Sequence, residues 1–163
     1  KTVFTSFFIQ KFLQKRASKI KELTFNSTLI DGNALQTLAE NCTEMQLEKL
    51  FLKSCDQLTN DGIISFIDVQ RNLQVLDLSL SVRLTDLALM HICECLKNLK
   101  VLKVRRCRAL TDISVKLVVD LPQLEVLDIS ECEAITSAAL IDGIASKRNE
   151  LMKELYLKKK FKY

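Results

Sequence analysis

The sequence predicts an α/β solenoid, a stack of strand–helix units around one shared core. A pattern of the form Leu-x-x-Leu-x-Leu, with close apolar substitutes, begins at six places: Ile20, Leu47, Leu73, Leu99, Leu124 and Met152. Successive starts lie 27, 26, 26, 25 and 28 residues apart, which is the spacing of solenoid repeats. Between the starts, apolar residues recur at intervals of three and four, as on the buried side of a helix.

The composition and charge are those of a folded chain. The 163 residues are 48% hydrophobic and 27% charged, which provides enough apolar material for one buried core. No uninterrupted apolar stretch approaches the length needed to cross a bilayer, so no membrane span is expected. The formal net charge of +4 is mild, and charge alone therefore does not indicate a nucleic-acid partner.

Residues 1–19 predict a cap for the solenoid. Apolar residues near helical spacing, with basic residues between them, indicate an amphipathic helix; they are Val3, Phe4, Phe7, Phe8, Phe12 and Leu13. The aromatic side of this helix would cover the first strand, because the end of a solenoid needs a lid. A basic amphipathic helix on a membrane surface is the alternative. Residues 20–163 then form the solenoid, about five repeats and a terminal strand, in which 20–46 is a degenerate first repeat.

Within a repeat the strand comes first and the helix second. In the repeat that starts at Leu73, six alternating residues rich in Leu and Val predict a short buried strand. Leu84, Thr85 and Asp86 precede the helix, and Thr85 or Asp86 is placed to cap its free N–H groups. The same register holds Leu58-Thr59-Asn60, Leu110-Thr111-Asp112 and Ile135-Thr136-Ser137. Because one strand and one helix cannot bury their apolar faces alone, the units should stack as a parallel sheet under a layer of helices.

The six cysteines follow the repeat and do not suggest a disulfide framework. Cys55, Cys107 and Cys132 share one turn position, where Ser81 stands in another repeat. A small side chain that bonds weakly within the turn explains them, so reduced thiols in packing roles are favoured over a metal ladder or stacked disulfides. Because no signal peptide is visible either, we expect an intracellular, cytoplasmic protein, with an organelle or a cilium left open.

Motifs for catalysis or metal binding are scarce in this sequence. His91, Cys93 and Cys95 form a His-x-Cys-x-Cys, but on a helix only His91 and Cys95 share a face, and two ligands do not close a zinc site. A core position for Cys93 and a surface position for His91 are therefore expected. The three glycines of the chain lie too far apart for a phosphate-binding loop, and no Ser-His-acid set is recognisable. We expect no enzyme activity, no metal and no cofactor.

Four segments resemble the cysteine-containing subtype of leucine-rich repeat: CDQLTNDGI, SVRLTDLAL, CRALTDISV and CEAITSAAL. Units of that subtype carry a Cys, then Leu or Ile, then Thr-Asp before the helix, and they are typical of F-box leucine-rich-repeat proteins and of relatives of the antagonist of mitotic exit. The resemblance covers Leu47 to about Met152. It implies a right-handed leucine-rich-repeat solenoid with parallel strands on the concave face and helices on the convex face. It also implies substrate recognition of the ubiquitin-ligase type, although no F-box motif is recognisable here.

The residues between the strand leucines should project from the sheet and form its binding surface. Neighbouring repeats place three valines in one column and three charges, Asp77, Lys103 and Asp128, in the next. An apolar strip with a charged border is common in protein interfaces, whereas mutual neutralisation of the three charges is the plain alternative. The predicted partner-binding residues are Lys49, Phe51, Lys53, Val75, Asp77, Val101, Lys103, Arg105, Val126, Asp128 and Tyr156.

A second candidate surface is a basic cluster within one repeat, Lys100, Lys103, Arg105, Arg106 and Arg108. It could meet an acidic or phosphate-bearing partner. Acidic residues on the adjoining repeats argue against the nucleic-acid version.

Taken with the resemblance, the repeats predict a protein-interaction module without cofactors. The leading hypothesis is substrate or partner recognition of the F-box, ubiquitin-ligase type. The alternative is a structural scaffold subunit of a large assembly, such as a ciliary axoneme or a mitochondrial complex. A third hypothesis is a leucine-rich-repeat factor associated with nucleic-acid repair.

Overall fold

The computed structural model describes residues 13–27, 30–145 and 151–157. Over these ranges the chain is an α/β structure in which six parallel strands alternate with helices. The strands lie in the sheet in the order in which they occur in the chain. The predicted α/β class with a parallel sheet is confirmed, and the arrangement is compatible with a leucine-rich-repeat solenoid.

Each repeat contributes one short strand and one helix. The strands are β1 (Glu22–Thr24), β2 (Lys49–Phe51), β3 (Val75–Asp77), β4 (Val101–Lys103), β5 (Val126–Asp128) and β6 (Glu154–Tyr156). The helices are α1 (Gly32–Asn41), α2 (Asn60–Val69), α3 (Asp86–Cys95), α4 (Asp112–Val118) and α5 (Ser137–Ala145). Every strand occupies the middle of one Leu-x-x-Leu-x-Leu pattern, as the sequence predicts.

The core lies between the sheet and the helices. The central leucine of each of the first five strands is buried: Leu23, Leu50, Leu76, Leu102 and Leu127. Full burial of a leucine side chain contributes about 1.5–3 kcal/mol. The residues on either side of this leucine point away from the helices and stay partly exposed, for example in β3 and β4. The alternation thus separates a packed face of the sheet from a face that is available for contact.

Threonine caps the four helices from α2 to α5, whereas Asp31 caps α1. The residue that follows the threonine joins neighbouring repeats. The Thr85 hydroxyl accepts a hydrogen bond from the Leu87 N–H, and Thr59, Thr111 and Thr136 cap their helices in the same way. The Asp86 carboxylate instead accepts from the backbone N–H and the hydroxyl of Thr111, at 2.9 and 2.7 Å. Of the two predicted caps, the threonine is therefore the cap and the aspartate a link between adjacent helices.

The turn after each of the first five strands contains a residue in the left-handed region. The residues are Ser27, Ser54, Leu80, Arg106 and Glu131, with φ between 55° and 67°. Residues that carry a side chain rarely adopt this backbone conformation, and glycine is the residue that usually adopts it. Here hydrogen bonds between repeats hold it: the Ser54 N–H donates to the Ser79 carbonyl at 2.8 Å, and the Leu80 N–H donates to the Arg105 carbonyl at 2.7 Å.

Gly32 and Gly62 allow α1 and α2 to approach closely. A Cβ on Gly62 would lie 2.2 Å from the Gly32 Cα, and a Cβ on Gly32 would lie 2.3 Å from the Thr59 hydroxyl oxygen. Neither position has room for a side chain. The two glycines are 30 residues apart in the sequence, yet they form one helix–helix contact.

The described part of the predicted cap is a 3₁₀-helix, Gln14–Lys19, in which Ala17 is buried in the core. The rest of the predicted capping helix, residues 1–12, lies outside the described residues, so the cap stays a prediction. None of the helices described in the structure is both long enough and apolar enough to cross a membrane.

Candidate functional site

Strand pairing places the predicted partner-binding residues on one face of the sheet, opposite to the helices. We call this surface the open face. One of its columns is Lys49, Val75, Val101 and Val126, and the next is Phe51, Asp77, Lys103, Asp128 and Tyr156. Lys53 and Arg105 follow directly in the turns after β2 and β4. The structure thus brings the predicted strand residues together along one surface, and Arg105 lines the same depression as Lys103.

The middle of the open face is apolar. Val75, Val101 and Val126 are adjacent in register and half-buried. Phe51 is half-buried beside this stripe at one end, and Tyr156 is 49% exposed at the other. Aromatic anchors next to apolar residues are characteristic of the centres of protein interfaces.

The two aspartates that border the stripe bond to their own turns and not to Lys103. The Asp77 carboxylate accepts a hydrogen bond from the Ser79 N–H at 2.9 Å, and the Asp128 carboxylate accepts one from the Ser130 N–H at 3.0 Å. Both acids are therefore engaged in the turns that follow their strands. In the described part of the chain neither of them forms an ion pair with Lys103, although register places Lys103 between them. Lys103 can thus offer its charge to a partner.

Each end of the open face carries one polar contact between neighbouring side chains. The Lys49 ammonium lies 3.4 Å from the Glu22 carboxylate, and both side chains are about half exposed. Such exposed pairs contribute little to stability because water and salt screen them. The Tyr156 hydroxyl donates to the Glu154 carboxylate at 2.6 Å, and this hydrogen bond raises the pKa of Tyr156. Lys53 is exposed.

Three of the five residues of the basic cluster form ion pairs with acidic residues. The guanidinium groups of Arg105 and Arg106 both contact the buried Glu131, and Arg108 lies 3.7 Å from Glu133. The hydrogen bond with Glu131 raises the pKa of Arg105. Because three of the five cations already have acidic neighbours, the cluster is less suited to binding phosphates than the sequence alone suggests.

Two shallow depressions lie along the sheet. One, of about 400 Å³, belongs to the open face and is lined among others by Lys103, Arg105, Val126, Asp128 and Tyr156. The other, of about 390 Å³, follows the start of the strands and is lined by a row of amides, Gln46, Asn72, Asn98 and Gln123, among other polar residues. This row of amides is not among the residues predicted from the sequence. Its signal is the Asn or Gln that directly precedes four of the Leu-x-x-Leu-x-Leu patterns.

The repeat cysteines are buried and bond to the preceding repeat. The thiols of Cys55, Cys107 and Cys132 each lie 3.2 Å from a backbone carbonyl, those of Phe25, Leu78 and Val104 respectively. Burial raises the pKa of Cys107 to about 12 and that of Cys132 to about 11. The thiols of Cys107 and Cys132 therefore stay protonated near neutral pH, and such groups are poor nucleophiles. All six cysteines of the chain are free thiols.

The His-x-Cys-x-Cys segment lies on α3, with Cys93 buried and His91 half-buried. The His91 Nε2 atom is 3.6 Å from the Cys95 thiol and 3.0 Å from an Asp68 carboxylate oxygen. Asp68 belongs to α2, 23 residues earlier in the chain. Asp68 could not be predicted from the sequence, because no local spacing relates it to the motif.

Comparison with known proteins identifies a similar fold. No protein-family model matches the chain, and no curated protein sequence matches it. Among solved structures, it is similar to a chain in the crystal structure of the Rad7 and Elc1 complex in yeast, with a TM-score of 0.64 and 23% sequence identity. The match covers 82% of this chain and 34% of that chain, so this chain spans about a third of the neighbour's length. At this level of identity, the match shows a shared fold.

Proposed function

We propose that the chain is a protein-binding module and that its open face receives the partner. The observation that carries the proposal is the half-buried valine stripe between Phe51 and Tyr156, with Lys103 beside it. An extended apolar strip with aromatic ends, beside a lysine that forms no ion pair in the described structure, fits a protein surface better than it fits a small molecule, since its depressions are shallow. The absence of recognisable catalytic motifs from the sequence supports a binding role over an enzymatic one.

The resemblance in the sequence supports a more specific proposal. The chain would be a right-handed leucine-rich-repeat solenoid of the cysteine-containing subtype, with the open face as its concave side. It would recognise a substrate or partner in the manner of ubiquitin-ligase receptors of the F-box type. The neighbouring structure is itself a complex of two proteins, which agrees with a protein partner.

A scaffold subunit is the second candidate, and the helical side of the structure favours it. Leu87 and Ile113 occupy equivalent positions in α3 and α4 and are 48% and 59% exposed. Met90 and Ile141 occupy equivalent positions in α3 and α5 and are 41% and 67% exposed. A subunit that is packed permanently in an assembly would cover these side chains, because exposed apolar groups cluster at contact surfaces.

Quantitative affinity capture with substituted chains tests the proposal. Phe51→Ala and Lys103→Glu should each weaken capture of the partner by about 1–2 kcal/mol, which is the effect of removing an interface anchor. Lys116→Glu reverses a charge on the exposed side of α4 and is the matched control for Lys103→Glu. Melting temperatures should be nearly unchanged, because these side chains do not fill the core. Equal loss of capture in the control, or no loss in the open-face variants, would contradict the proposal.

A further inference from the structure

Three side chains from the neighbouring helices α2 and α3 converge near the C-terminal ends of these helices. His91 and Cys95 are one helical turn apart on α3, and Asp68 is next to the last residue of α2. One ligand atom from each residue can be chosen such that all three atoms lie within 4.8 Å of one another. The cluster lies on the helical side of the molecule, so it is separate from the open face and independent of the proposed function.

The spacing of these atoms is close to that of zinc ligands. With Zn–N and Zn–S bonds of about 2.0 and 2.3 Å, a tetrahedral site requires about 3.5 Å between nitrogen and sulfur. The observed distance from His91 Nε2 to Cys95 Sγ is 3.6 Å. The distance from His91 Nε2 to Asp68 Oδ1 is 3.0 Å, so this pair needs only a small opening to admit an ion. An imidazole, a thiolate and a carboxylate are also the ligand types that zinc prefers.

The C-terminal ends of two helices favour a cation at the cluster. Cys95 is the last residue of α3 and Asp68 is next to last in α2, so the negative ends of two helix dipoles point to the cluster. A carboxylate and a thiolate would together balance the two charges of a divalent ion. Two cations oppose this effect. Arg71 lies 3.6 Å from the same Asp68 oxygen, and the Lys97 ammonium donates to the Cys93 carbonyl at 2.8 Å. The side chains of Arg71 and Asp68 are 64% and 46% exposed, and such a pair is readily exchanged.

Access to the cluster suits reversible binding. The side chains of Asp68 and His91 are 46% and 24% exposed, so an ion can reach them without unfolding. Three protein ligands leave the fourth tetrahedral position to a water molecule. An ion held in this way would connect α2 to α3 across the boundary between two repeats.

We propose that Asp68, His91 and Cys95 form a zinc site that fastens α2 to α3. Binding exchanges the thiol proton of Cys95 for the metal ion, and that proton is released to water. Zinc should stabilise the folded chain, because the unfolded chain lacks the assembled site. The ion serves as a clamp in the helical layer and takes no part in chemistry at the open face.

Cobalt titration of the purified full chain tests this site. Cobalt(II) alone is the probe, since a thiolate ligand gives it a charge-transfer band in the near ultraviolet. The wild-type chain should show this band, saturating at one equivalent, and added zinc should abolish it. Cys95→Ser should lose the band, and Asp68→Asn should require more cobalt to reach half-saturation. Glu94→Gln, an exposed acid on the same helix, is the matched control and should titrate like the wild type.

A thermal readout separates the site from binding by other thiols. Zinc should raise the melting temperature of the wild type and of Glu94→Gln, but not that of the Asp68→Asn/His91→Gln/Cys95→Ser variant. Circular dichroism establishes that each variant is folded. If the triple variant unfolds, Asp68→Asn takes its place in the comparison, because it changes only a partly exposed side chain. A folded wild-type chain without the band, or a Cys95→Ser variant that keeps it, would overturn the proposal.

Discussion

Single buried side chains hold one repeat to the next. Three turn cysteines donate from their thiols to the carbonyl of the preceding repeat, and each of these hydrogen bonds crosses the boundary between two strands. Ser81 occupies the same turn position and is fully buried. Its hydroxyl has no hydrogen-bond partner in the described structure. A buried polar group without a partner costs about 1–3 kcal/mol, so Ser81 is a weak point in the stack.

The first prediction is that Ser81→Cys stabilises the chain. The longer C–S bond should bring the thiol to the Leu52 carbonyl, which is the acceptor equivalent to those used by the other cysteines. We expect a gain of about 1 kcal/mol in the free energy of unfolding, measured by urea titration. Ser81→Ala is the control, because it deletes the hydroxyl without supplying a new hydrogen bond. The assignment of this position would be wrong if Ser81→Cys unfolded at a lower urea concentration than the wild type.

The second prediction concerns acid unfolding through Asp86. Partial burial alone would raise the pKa of Asp86, but hydrogen bonds from Ser114 and Thr111 outweigh it and lower the pKa below its ordinary value. A group whose pKa is lowered on folding stabilises the fold above its unfolded pKa, which is about 3.9 for aspartate, and the stabilisation is lost as pH falls through the folded value.

Asp86→Asn should therefore destabilise the chain near neutral pH and show a smaller further loss as the pH falls below about 4. Urea titrations between neutral and acidic pH would measure this difference. Asp61→Asn is the matched control, because Asp61 is an exposed acid in the first turn of α2. Its plot of the free energy of unfolding against pH should lie closer to that of the wild type. Parallel pH curves for the wild type and Asp86→Asn would refute the role assigned to this carboxylate.

At the scale of strands and helices, much of the structure could be predicted from periodicity. The Leu-x-x-Leu-x-Leu pattern places each strand because its leucines alternate with exposed residues, and Thr59, Thr85, Thr111 and Thr136 mark where helices begin. Both signals are local, since strand alternation and helix capping depend on residues a few positions apart.

Contacts between repeats could not be predicted in this way. The left-handed turns lack the glycine that usually marks them, because hydrogen bonds to the next repeat hold residues such as Leu80 in place. The sequence gives Gly32 and Gly62 no shared motif, yet the packing of α1 on α2 brings them together. The link from Asp86 to Thr111 also joins residues that are 25 positions apart.

The third prediction follows from the contact between α1 and α2. Alanine is favoured over glycine by about 1 kcal/mol within a helix, but a Cβ at position 62 would lie 2.2 Å from the Gly32 Cα and 2.9 Å from its carbonyl oxygen. Backbone cannot yield as a flexible side chain can, so we expect Gly62→Ala to reduce the free energy of unfolding by about 1–3 kcal/mol.

Gly143→Ala is the matched control, measured by the same urea titration. Its Cβ would first meet a methyl group of Val115 at 2.8 Å, and that side chain can adjust more easily than backbone. Gly143→Ala should therefore cost less than Gly62→Ala. The opposite order would contradict the close approach of α1 and α2.

At the scale of the whole molecule, the stacked repeats create two continuous surfaces with different character. The open face carries the valine stripe, Phe51 and Tyr156, and its members could be predicted because strand alternation alone decides which side chains point outward. The hydrogen bonds of its charged residues could not be predicted. Asp77 and Asp128 accept hydrogen bonds from backbone N–H groups in the turns that follow their strands, and this depends on the local geometry of those turns. The helical side carries exposed Leu87 and Ile113, which a scaffold would cover.

Residue-specific photo-crosslinking in cells tests whether the partner contacts the open face. A photoreactive amino acid at position 103 samples the open face, and the same amino acid at position 116 samples the helical side, with a lysine replaced in each case. A partner on the open face should give a discrete crosslinked product from position 103. This product should be weaker or absent from position 116, and it should be lost from position 103 when Phe51→Ala is added. Crosslinks concentrated at position 116, with position 103 unreactive, would instead assign the contact surface to the helices.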